Sequence, residues 1–274
     1  MEFGLYLREY LEDETLTQKP SGCILNGCMQ LYRATGEEFY RKKIFSVAEK
    51  YKNIHNMPQD ALAEWVNAAR AFYGIYDETG DEEWRSRIEA VISRVKALPR
   101  EADGVFAGMG PAEQYAILPF YMEYETRFHN KAEYSDIVLQ LRRTKPQENG
   151  RYFLTGWYLM TLIDVMERMS VEIFEHYKSL EGIFKETIRH IQQNIRAEKM
   201  DLMERAMVGY AITKACNMGV LNCEKYTGSG LMLIDGVIDG PFEPQDAVTM
   251  GIIMMAYAQY VITGQNEARH TNKF

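Results

Sequence analysis

A short turn motif repeats along the chain and constrains its fold more than any other feature. The pattern Tyr-x-x-Thr-Gly-acidic-x-x-aromatic occupies residues 32–40 and returns 44 residues later at 76–84, and a partial copy lies at 260–264. In each copy the glycine follows an amphipathic run and suits the left-handed conformation that ends a helix. In the two full copies the acidic residue after it favours the start of another helix. Each copy therefore predicts a tight turn between two antiparallel helices, and a fixed period of this kind is typical of a repeat architecture.

The segments between the turns have a helical pattern, and no convincing alternating strand occurs. Five helix pairs are predicted at about residues 21–35 and 37–52, 58–78 and 81–97, 112–128 and 131–143, 152–168 and 171–197, and 201–218 and 223–238. An eleventh segment, at about 244–263, is followed only by a polar tail at 265–274. Its partner is therefore expected to be the first helix, at about 3–13, which closes a ring.

The predicted fold is all-α, an (α/α)6 toroid of six helical hairpins. We expect one domain over residues 1–274, in which residues 1–20 form the closing helix and a linker. A superhelical solenoid built from the same pairs is the alternative. The chain has no obvious capping repeats, which a solenoid needs at its ends, so the ring is favoured.

The composition limits the classes of partner. A net charge of −8 argues against a non-specific nucleic-acid binder and against docking on an anionic membrane. The N-terminal residues are charged throughout, and the longest apolar run, Met250–Ile262, is interrupted and too short to span a bilayer. We therefore expect a cytoplasmic protein that binds neither a membrane nor a nucleic acid.

The cysteines and histidines do not form a recognisable metal site. Cys23, Cys28, Cys216 and Cys223 lack CxxC spacing and are expected to be reduced thiols packed on helices. The five histidines are scattered over loops, outer helices and the tail. Neither a metal nor a cofactor is expected.

The longest connections lie between hairpins, so they gather on one face of the predicted ring together with the first turns of the even-numbered helices. This face suits a functional site, because helix N-termini bind anions and hydrogen-bond acceptors and a rigid scaffold holds the loops. The candidates there are Asp60, Glu64, Glu113, Tyr115, Tyr152, Thr155, Trp157, Tyr158, Glu204, Arg205, Gln245 and Asp246. Aromatic rings beside carboxylates suit a carbohydrate. The same residues also suit structural roles, the acids as helix starters and the aromatics as packing.

Several stretches resemble the unsaturated uronyl hydrolases of glycoside hydrolase families 88 and 105, most closely unsaturated rhamnogalacturonyl hydrolase. LYRATGEEFY and IYDETGDEEW resemble that family's repeated turn, and LPREADGVF resembles its Pro-Arg…Gly-Gly-Phe loop. EQYAILPFYMEYE, TGWYLMTLIDVME and DLMERAMVGYAITKACNMGVL resemble three of its helices. The similarity extends over most of residues 21–263.

The resemblance implies a reaction on products of polysaccharide lyases. Such enzymes remove a terminal 4,5-unsaturated uronic acid from a short oligosaccharide. An Asp protonates the vinyl-ether double bond and activates water, and the resulting hemiketal collapses. This differs from hydrolysis by two carboxylates that flank the glycosidic bond.

The chain departs from the family where the chemistry is expected. Ala112 occupies the position of the acid/base Asp, and Glu113 is one residue away, about 100° around the helix. A second family Asp falls on Glu64. The family's Arg-Gly-Asn is Phe-Leu-Thr at residues 153–155, so the substrate-holding Arg is missing unless Arg151 replaces it.

Two hypotheses follow. In the first, the chain is a hydrolase in which Glu113 or Glu64 is the general acid/base, with a pKa raised by burial among Tyr115, Tyr158 and Trp157. In the second, the toroid is catalytically inactive and binds a carbohydrate or a protein partner through the same face.

Overall fold

The computed structural model describes residues 3–13, 21–53, 57–146, 152–194, 197–240 and 245–271. Over these residues the fold is helical, with no strand and one isolated antiparallel bridge between Arg100 and Phe106. The α-helices are α1 (Phe3–Glu12), α2 (Gly22–Thr35), α3 (Glu38–Ala48), α4 (Leu62–Thr79), α5 (Glu82–Lys96), α6 (Pro111–Arg127), α7 (Tyr134–Arg143), α8 (Tyr152–Arg168), α9 (Phe174–Asn194), α10 (Leu202–Asn217), α11 (Cys223–Ile238) and α12 (Ala247–Thr271). Short 3-10 turns cover Glu49–Tyr51, Gln59–Ala61 and Ala197–Lys199.

The helices form two compact units. The first unit comprises Met1–Lys50 and Arg196–Phe274, and the second unit comprises Tyr51–Ile195. Each predicted pair of consecutive helices is in contact within its own unit. The single domain expected from the sequence stays a prediction.

In the first unit α12 lies against both α2 and α10. Its approach to α2 is close, because a Cβ added to Gly251 would lie 2.2 Å from the carbonyl carbon of Cys23. Only a glycine allows the two helix backbones to come so near. The N-terminal helix packs on α12 as predicted: the rings of Phe3 and Tyr257 meet edge-on, with their centroids 5.0 Å apart.

In the second unit α4, α6 and α8 lie side by side, and α6 contacts both of the others. Each is paired with the helix that follows it, α5, α7 or α9. The three inner helices bury many aromatic and aliphatic side chains, among them Phe72, Tyr73, Phe120, Leu159 and Ile163. Burial of this apolar surface is the main stabilising contribution to such a layer.

The two full copies of the turn motif form the turns that the sequence predicts. Gly36 ends α2 with a φ of 71°, and Gly80 ends α4 with a φ of 65°. Thr35 and Thr79 each donate a hydrogen bond from Oγ1 to the carbonyl four residues earlier, and each accepts one from the backbone N–H two residues later. The hydroxyl thus bridges the last turn of one helix to the start of the next.

The prediction was wrong for the third copy. α12 continues through Thr263 and Gly264 to Thr271, so the expected polar tail is helical as far as that residue. No acidic residue follows Gly264 directly, since Gln265 occupies that position. The side-chain amide of Gln265 instead donates to the carbonyl of Ala34, at 3.0 Å, which ties the end of α12 to α2.

The apolar run expected to be too short for a membrane is part of this longer helix. Its segment Ala247–Asn266 is 20 residues long and apolar enough to cross a membrane by length and composition alone. Of its most apolar window, however, 61% is buried inside the protein. A buried core helix passes the same test, and the cytoplasmic location stays a prediction.

Candidate functional site

Glu64 is the predicted carboxylate with the most defined surroundings. It lies half-buried in the first turn of α4 and accepts a hydrogen bond of 2.6 Å from the hydroxyl of Tyr51. The ring of Tyr51 is itself fixed, because it packs edge-on against Trp65 with the centroids 5.2 Å apart. The carboxylate therefore has a set position, which a proton donor needs.

Asp60 and Glu113 are exposed. Asp60 lies in the 3-10 turn that precedes α4. Glu113 lies in the first turn of α6, and one of its carboxylate oxygens is 2.8 Å from the point where a Cβ on Gly110 would be. The side chain thus turns back over the start of its own helix. The predicted burial of Glu113 among aromatic residues is not found, because the first turn exposes it.

The loop that leads to α6 is fixed by α7. Arg100 binds the Asp136 carboxylate with two hydrogen bonds of 2.7 and 2.8 Å. Gln140 accepts from the N–H of Phe106, at 2.8 Å, and donates to the carbonyl of Gly104, at 3.1 Å. Burial alone would raise the pKa of Asp136, but the hydrogen bonds from Arg100 and Gln140 outweigh it and lower that pKa. The predicted loop is therefore a rigid support for the first turn of α6.

Three aromatic residues predicted to contact a ligand are buried. Tyr115, Trp157 and Tyr158 each expose 3% or less of their surface. Tyr158 points toward α7, where its hydroxyl donates a 2.7 Å hydrogen bond to the carbonyl of Leu141, and burial raises its pKa. Tyr115 and Trp157 pack on each other with their centroids 5.2 Å apart. These rings are packed as core residues, so none of them offers an open face for a sugar.

A buried ion pair that the sequence interpretation missed lies beneath these rings. Arg70 of α4 binds the carboxylate of Asp164 on α8, and the two residues are 6% and 0% exposed. The guanidinium of Arg70 also lies 4.9 Å from the ring centroid of Tyr115 on α6, a cation–π arrangement. One charged cluster therefore joins all three inner helices of this unit. One feature of the sequence could have indicated this pair: Arg70 and Asp164 are charged residues within otherwise apolar helix faces.

The first turn of α8, unlike the buried rings described above, contains half-buried and exposed side chains. Tyr152 and Thr155 are half-buried, whereas Phe153 is exposed and touches Trp157 edge-on at 6.4 Å. Arg151, which the sequence offered as a replacement for a missing substrate-holding Arg, lies outside the described residues. The structure thus places an exposed phenylalanine where the resemblance expected an arginine.

The candidate residues of the first unit form hydrogen bonds that stabilise the starts of helices and the turn before α10. Glu204 accepts from the N–H of Asp201 while Asp201 accepts from that of Glu204, a capping box at the start of α10. Arg205 donates to the carbonyls of Ala197 and Met200, at 3.1 and 3.2 Å, and so holds the preceding turn. Asp246 accepts hydrogen bonds at the start of α12. Burial would raise the pKa of Asp246, but hydrogen bonds from Thr249 and Val248 lower it.

The described residues contain no group of three or more His, Cys, Asp or Glu side chains arranged to hold a metal ion. None of the four cysteines, all of which lie within the described residues, forms a disulfide; Cys23, Cys28 and Cys216 are buried and Cys223 is exposed. Burial raises the pKa of Cys28 to about 12 and that of Cys216 to about 11, so neither is a reactive thiolate at neutral pH.

Solved structures with the same fold belong to carbohydrate-active proteins. A family 105 glycoside hydrolase from C. acetobutylicum ATCC 824 superposes with a TM-score of 0.77 at 15% identity, over 95% of this chain and 99% of that one. A family 88 glycosyl hydrolase from Bacteroides vulgatus gives a TM-score of 0.72 at 13% identity, over 95% and 99%. A polysaccharide lyase gives 0.70 at 11% identity, over 96% and 98%. No family model and no curated protein matches the chain.

These similarities confirm the all-α (α/α)6 toroid fold predicted from the sequence. They do not define the reaction, because hydrolases and a lyase share the fold and function depends on the residues of the site.

Proposed function

We propose that this protein is a glycoside hydrolase that removes a terminal unsaturated uronic acid from short oligosaccharides produced by polysaccharide lyases, with Glu64 as the general acid/base. The observation that carries the proposal is the hydrogen bond from Tyr51 to the Glu64 carboxylate at the start of α4. The fold shared with family 105 and family 88 hydrolases supports the same reaction class.

In such a reaction Glu64 performs both proton transfers. In its protonated form it delivers a proton to the vinyl-ether double bond of the unsaturated sugar. As a carboxylate it then takes a proton from the water that adds to the neighbouring carbon. The resulting hemiketal opens, and the remaining sugar leaves with a free hydroxyl group. One water is consumed, and Glu64 returns to its starting protonation state.

Glu113 is the weaker choice for this role. It is exposed, and its carboxylate turns toward Gly110 at the beginning of its own helix. Water around an exposed carboxylate reduces the electrostatic stabilisation that the group provides to a transition state. Glu64 is partly shielded and has a fixed hydrogen-bond donor.

The direct test is incubation of the full chain with lyase-generated unsaturated disaccharides of the rhamnogalacturonan, heparin and alginate types. Absorbance of the conjugated double bond is followed with time. We expect loss of absorbance with at least one of the three. If all three keep their absorbance, the hydrolase proposal is wrong.

A second function is favoured by one observation, the alanine at residue 112 where the resemblance expects the acid/base Asp. In this alternative the protein binds a carbohydrate or a protein partner at the same helix ends without turnover. Calorimetric titration with the same disaccharides distinguishes the two: binding without loss of absorbance supports the alternative, and binding followed by loss supports the hydrolase.

A further inference from the structure

Two cysteines lie at the two ends of the turn that joins α10 to α11. Cys216 belongs to the last turn of α10, and Cys223 is the first residue of α11. The Sγ of Cys223 donates a hydrogen bond to the carbonyl oxygen of Cys216, at 3.2 Å, and lies 4.0 Å from the carbonyl oxygen of Leu221. The Cys223 thiol is therefore turned toward the end of α10, where the other cysteine lies.

The turn between the two cysteines is held by backbone hydrogen bonds. The N–H groups of Val220 and Leu221 both donate to the carbonyl of Ala215, at 2.8 and 3.1 Å. Gly219 has a φ of 72°, and its N–H donates to the carbonyl of Cys216 at 2.9 Å. The side chains of Val220 and Leu221 are buried, which fastens the turn to the core. A fixed turn keeps the two thiols together and raises the effective concentration of each for the other.

The two side chains are also direct neighbours. Burial raises the pKa of Cys216 to about 11, a hydrogen bond from Thr227 opposes that rise, and the charge of Cys223 and a hydrogen bond to its thiol add to it. A hydrogen bond that raises the pKa of a thiol favours its protonated form, so the Cys216 S–H donates to the Cys223 sulfur. Sulfur atoms in such contact need a shift of about 1–2 Å to reach the disulfide bond length of about 2 Å.

The two thiols differ in their access to solvent. Cys216 is 4% exposed, whereas Cys223 is exposed. The remaining two cysteines, Cys23 and Cys28, are buried in α2. Cysteines that respond to oxidants are accessible to solvent and often have a second cysteine beside them, with which they form a disulfide. Cys223 is thus the thiol that a dissolved oxidant reaches first, and Cys216 is the neighbour that can react with it afterwards.

We propose that Cys216 and Cys223 are a reversible oxidation site, at which a small soluble disulfide converts the two thiols into one intramolecular disulfide. This inference goes beyond the proposed hydrolase function and does not depend on it. The link would protect the exposed Cys223 thiol from irreversible oxidation to sulfinic and sulfonic acids.

The reaction consists of two thiol–disulfide exchanges. The Cys223 thiolate attacks one sulfur of the small disulfide, forms a mixed disulfide with it and releases the first small thiolate. Cys216 then loses its proton and attacks the Cys223 sulfur, and the second small thiolate leaves. The two cysteine protons end on the two released small thiols. The two electrons that the cysteines lose reduce the small disulfide, so the exchange needs no further oxidant.

The test incubates the reduced full chain with glutathione disulfide at neutral pH without denaturant. The reaction is then quenched, and the remaining thiols are alkylated with iodoacetamide in denaturant. Both cysteines lie in one tryptic peptide, residues 215–225, because Lys214 precedes it and Lys225 ends it. We expect this peptide to lose two hydrogens and to carry neither an alkyl group nor glutathione.

The Cys216→Ser variant keeps the exposed thiol but removes its neighbour, so it should retain glutathione on Cys223. The amount retained should exceed that of the unaltered chain by about tenfold or more, because an adjacent thiol displaces glutathione quickly. Cys223→Ser is the matched control and should leave Cys216 unmodified, since that thiol is buried. Circular dichroism checks the folding of both variants.

A second measurement uses the unaltered chain alone and therefore does not depend on how a variant folds. Alkylation of the exposed Cys223 before incubation should leave Cys216 as a free thiol. Equal retention of glutathione by the unaltered chain and Cys216→Ser overturns the inference. It is also overturned if both thiols of the unaltered chain remain available for alkylation, or if Cys223 forms a disulfide between two copies of the chain.

Discussion

Arg70 on α4 and Asp164 on α8 form an ion pair in the core of the second unit, and the same guanidinium covers the ring of Tyr115 on α6. The pair therefore connects the three helices whose first turns carry the candidate site. A buried ion pair adds little net stability, because both charges lose their contact with water. Removal of one partner is nevertheless costly, because the other charge then remains buried without a partner.

We expect Asp164→Leu to lower the free energy of unfolding by about 3–5 kcal/mol, because it leaves the Arg70 charge buried without its carboxylate. The double variant Arg70→Met, Asp164→Leu should lose less than the single variant, since neither charge remains. Thermal unfolding, monitored by circular dichroism, measures the stability of the single and the double variant. Glu89→Gln, which breaks the exposed pair with Arg85, is the control and should leave the stability nearly unchanged. A change of that small size in Asp164→Leu would contradict the prediction.

The turn motif allows a test with matched glycines. Gly80 has a φ of 65°, where a Cβ is strained, so Gly80→Ala should destabilise the protein by about 1 kcal/mol. Gly264 lies inside α12 with open space around it, and Gly264→Ala should raise the stability by about 0.5–1 kcal/mol because alanine loses less entropy in a helix. The two melting temperatures should move in opposite directions. If both fall equally, the third copy also acts as a turn.

For a hydrolase, Glu64→Gln should lower kcat/KM by about 10²–10⁴, because an amide cannot transfer the proton. Asp60→Asn alters an exposed carboxylate one turn earlier and should keep the rate within a few-fold of the unaltered chain. The measurement is the initial loss of double-bond absorbance, with circular dichroism to check folding. Full activity of Glu64→Gln would remove Glu64 from the role, and loss in Glu113→Gln alone would assign it to Glu113.

The Asp136 carboxylate predicts a pH dependence of stability. Burial raises its pKa, but hydrogen bonds from Arg100 and Gln140 outweigh that effect, so its pKa in the folded chain is below the unfolded value of about 3.9. The stabilisation that the ionised Asp136 carboxylate provides is therefore complete above about pH 4, and it is lost as the pH falls through the pKa of the folded state. Asp136→Asn should melt at a lower temperature than the unaltered chain at pH 7, and the difference should shrink below about pH 4. A constant difference from pH 7 to pH 3 would show that this carboxylate's ionisation does not stabilise the loop.

Much of the fold could be predicted because its signals are local. The left-handed glycines, the bridging threonines and the helical spacing of apolar residues act within a few positions of the chain, so Gly36 and Gly80 marked real turns. At Gly264 the prediction was wrong because interactions of α12 with α2 and α10 continue the helix through this residue.

The site depended on contacts between distant residues. The sequence placed Glu64, Glu113, Tyr115 and Trp157 in first turns or beside them, but the spacing did not tell which side chains would be buried. Tyr115 and Trp157 proved to be core residues, and Glu113 proved to be exposed. Tyr51, which orients Glu64, was not among the candidates, since it lies in another helical turn 13 residues earlier.

The sequence by itself determined the helical class, the hairpin repeat and the end of the helices where a site is expected, because periodicity and capping are properties of neighbouring residues. Only the tertiary structure decided that Arg70 and Asp164 meet across 94 residues of chain. It also placed Glu64 against Tyr51 and left the ring of Phe153 exposed. Burial and partner choice follow from how α4, α6 and α8 pack together, and no single helix contains that information.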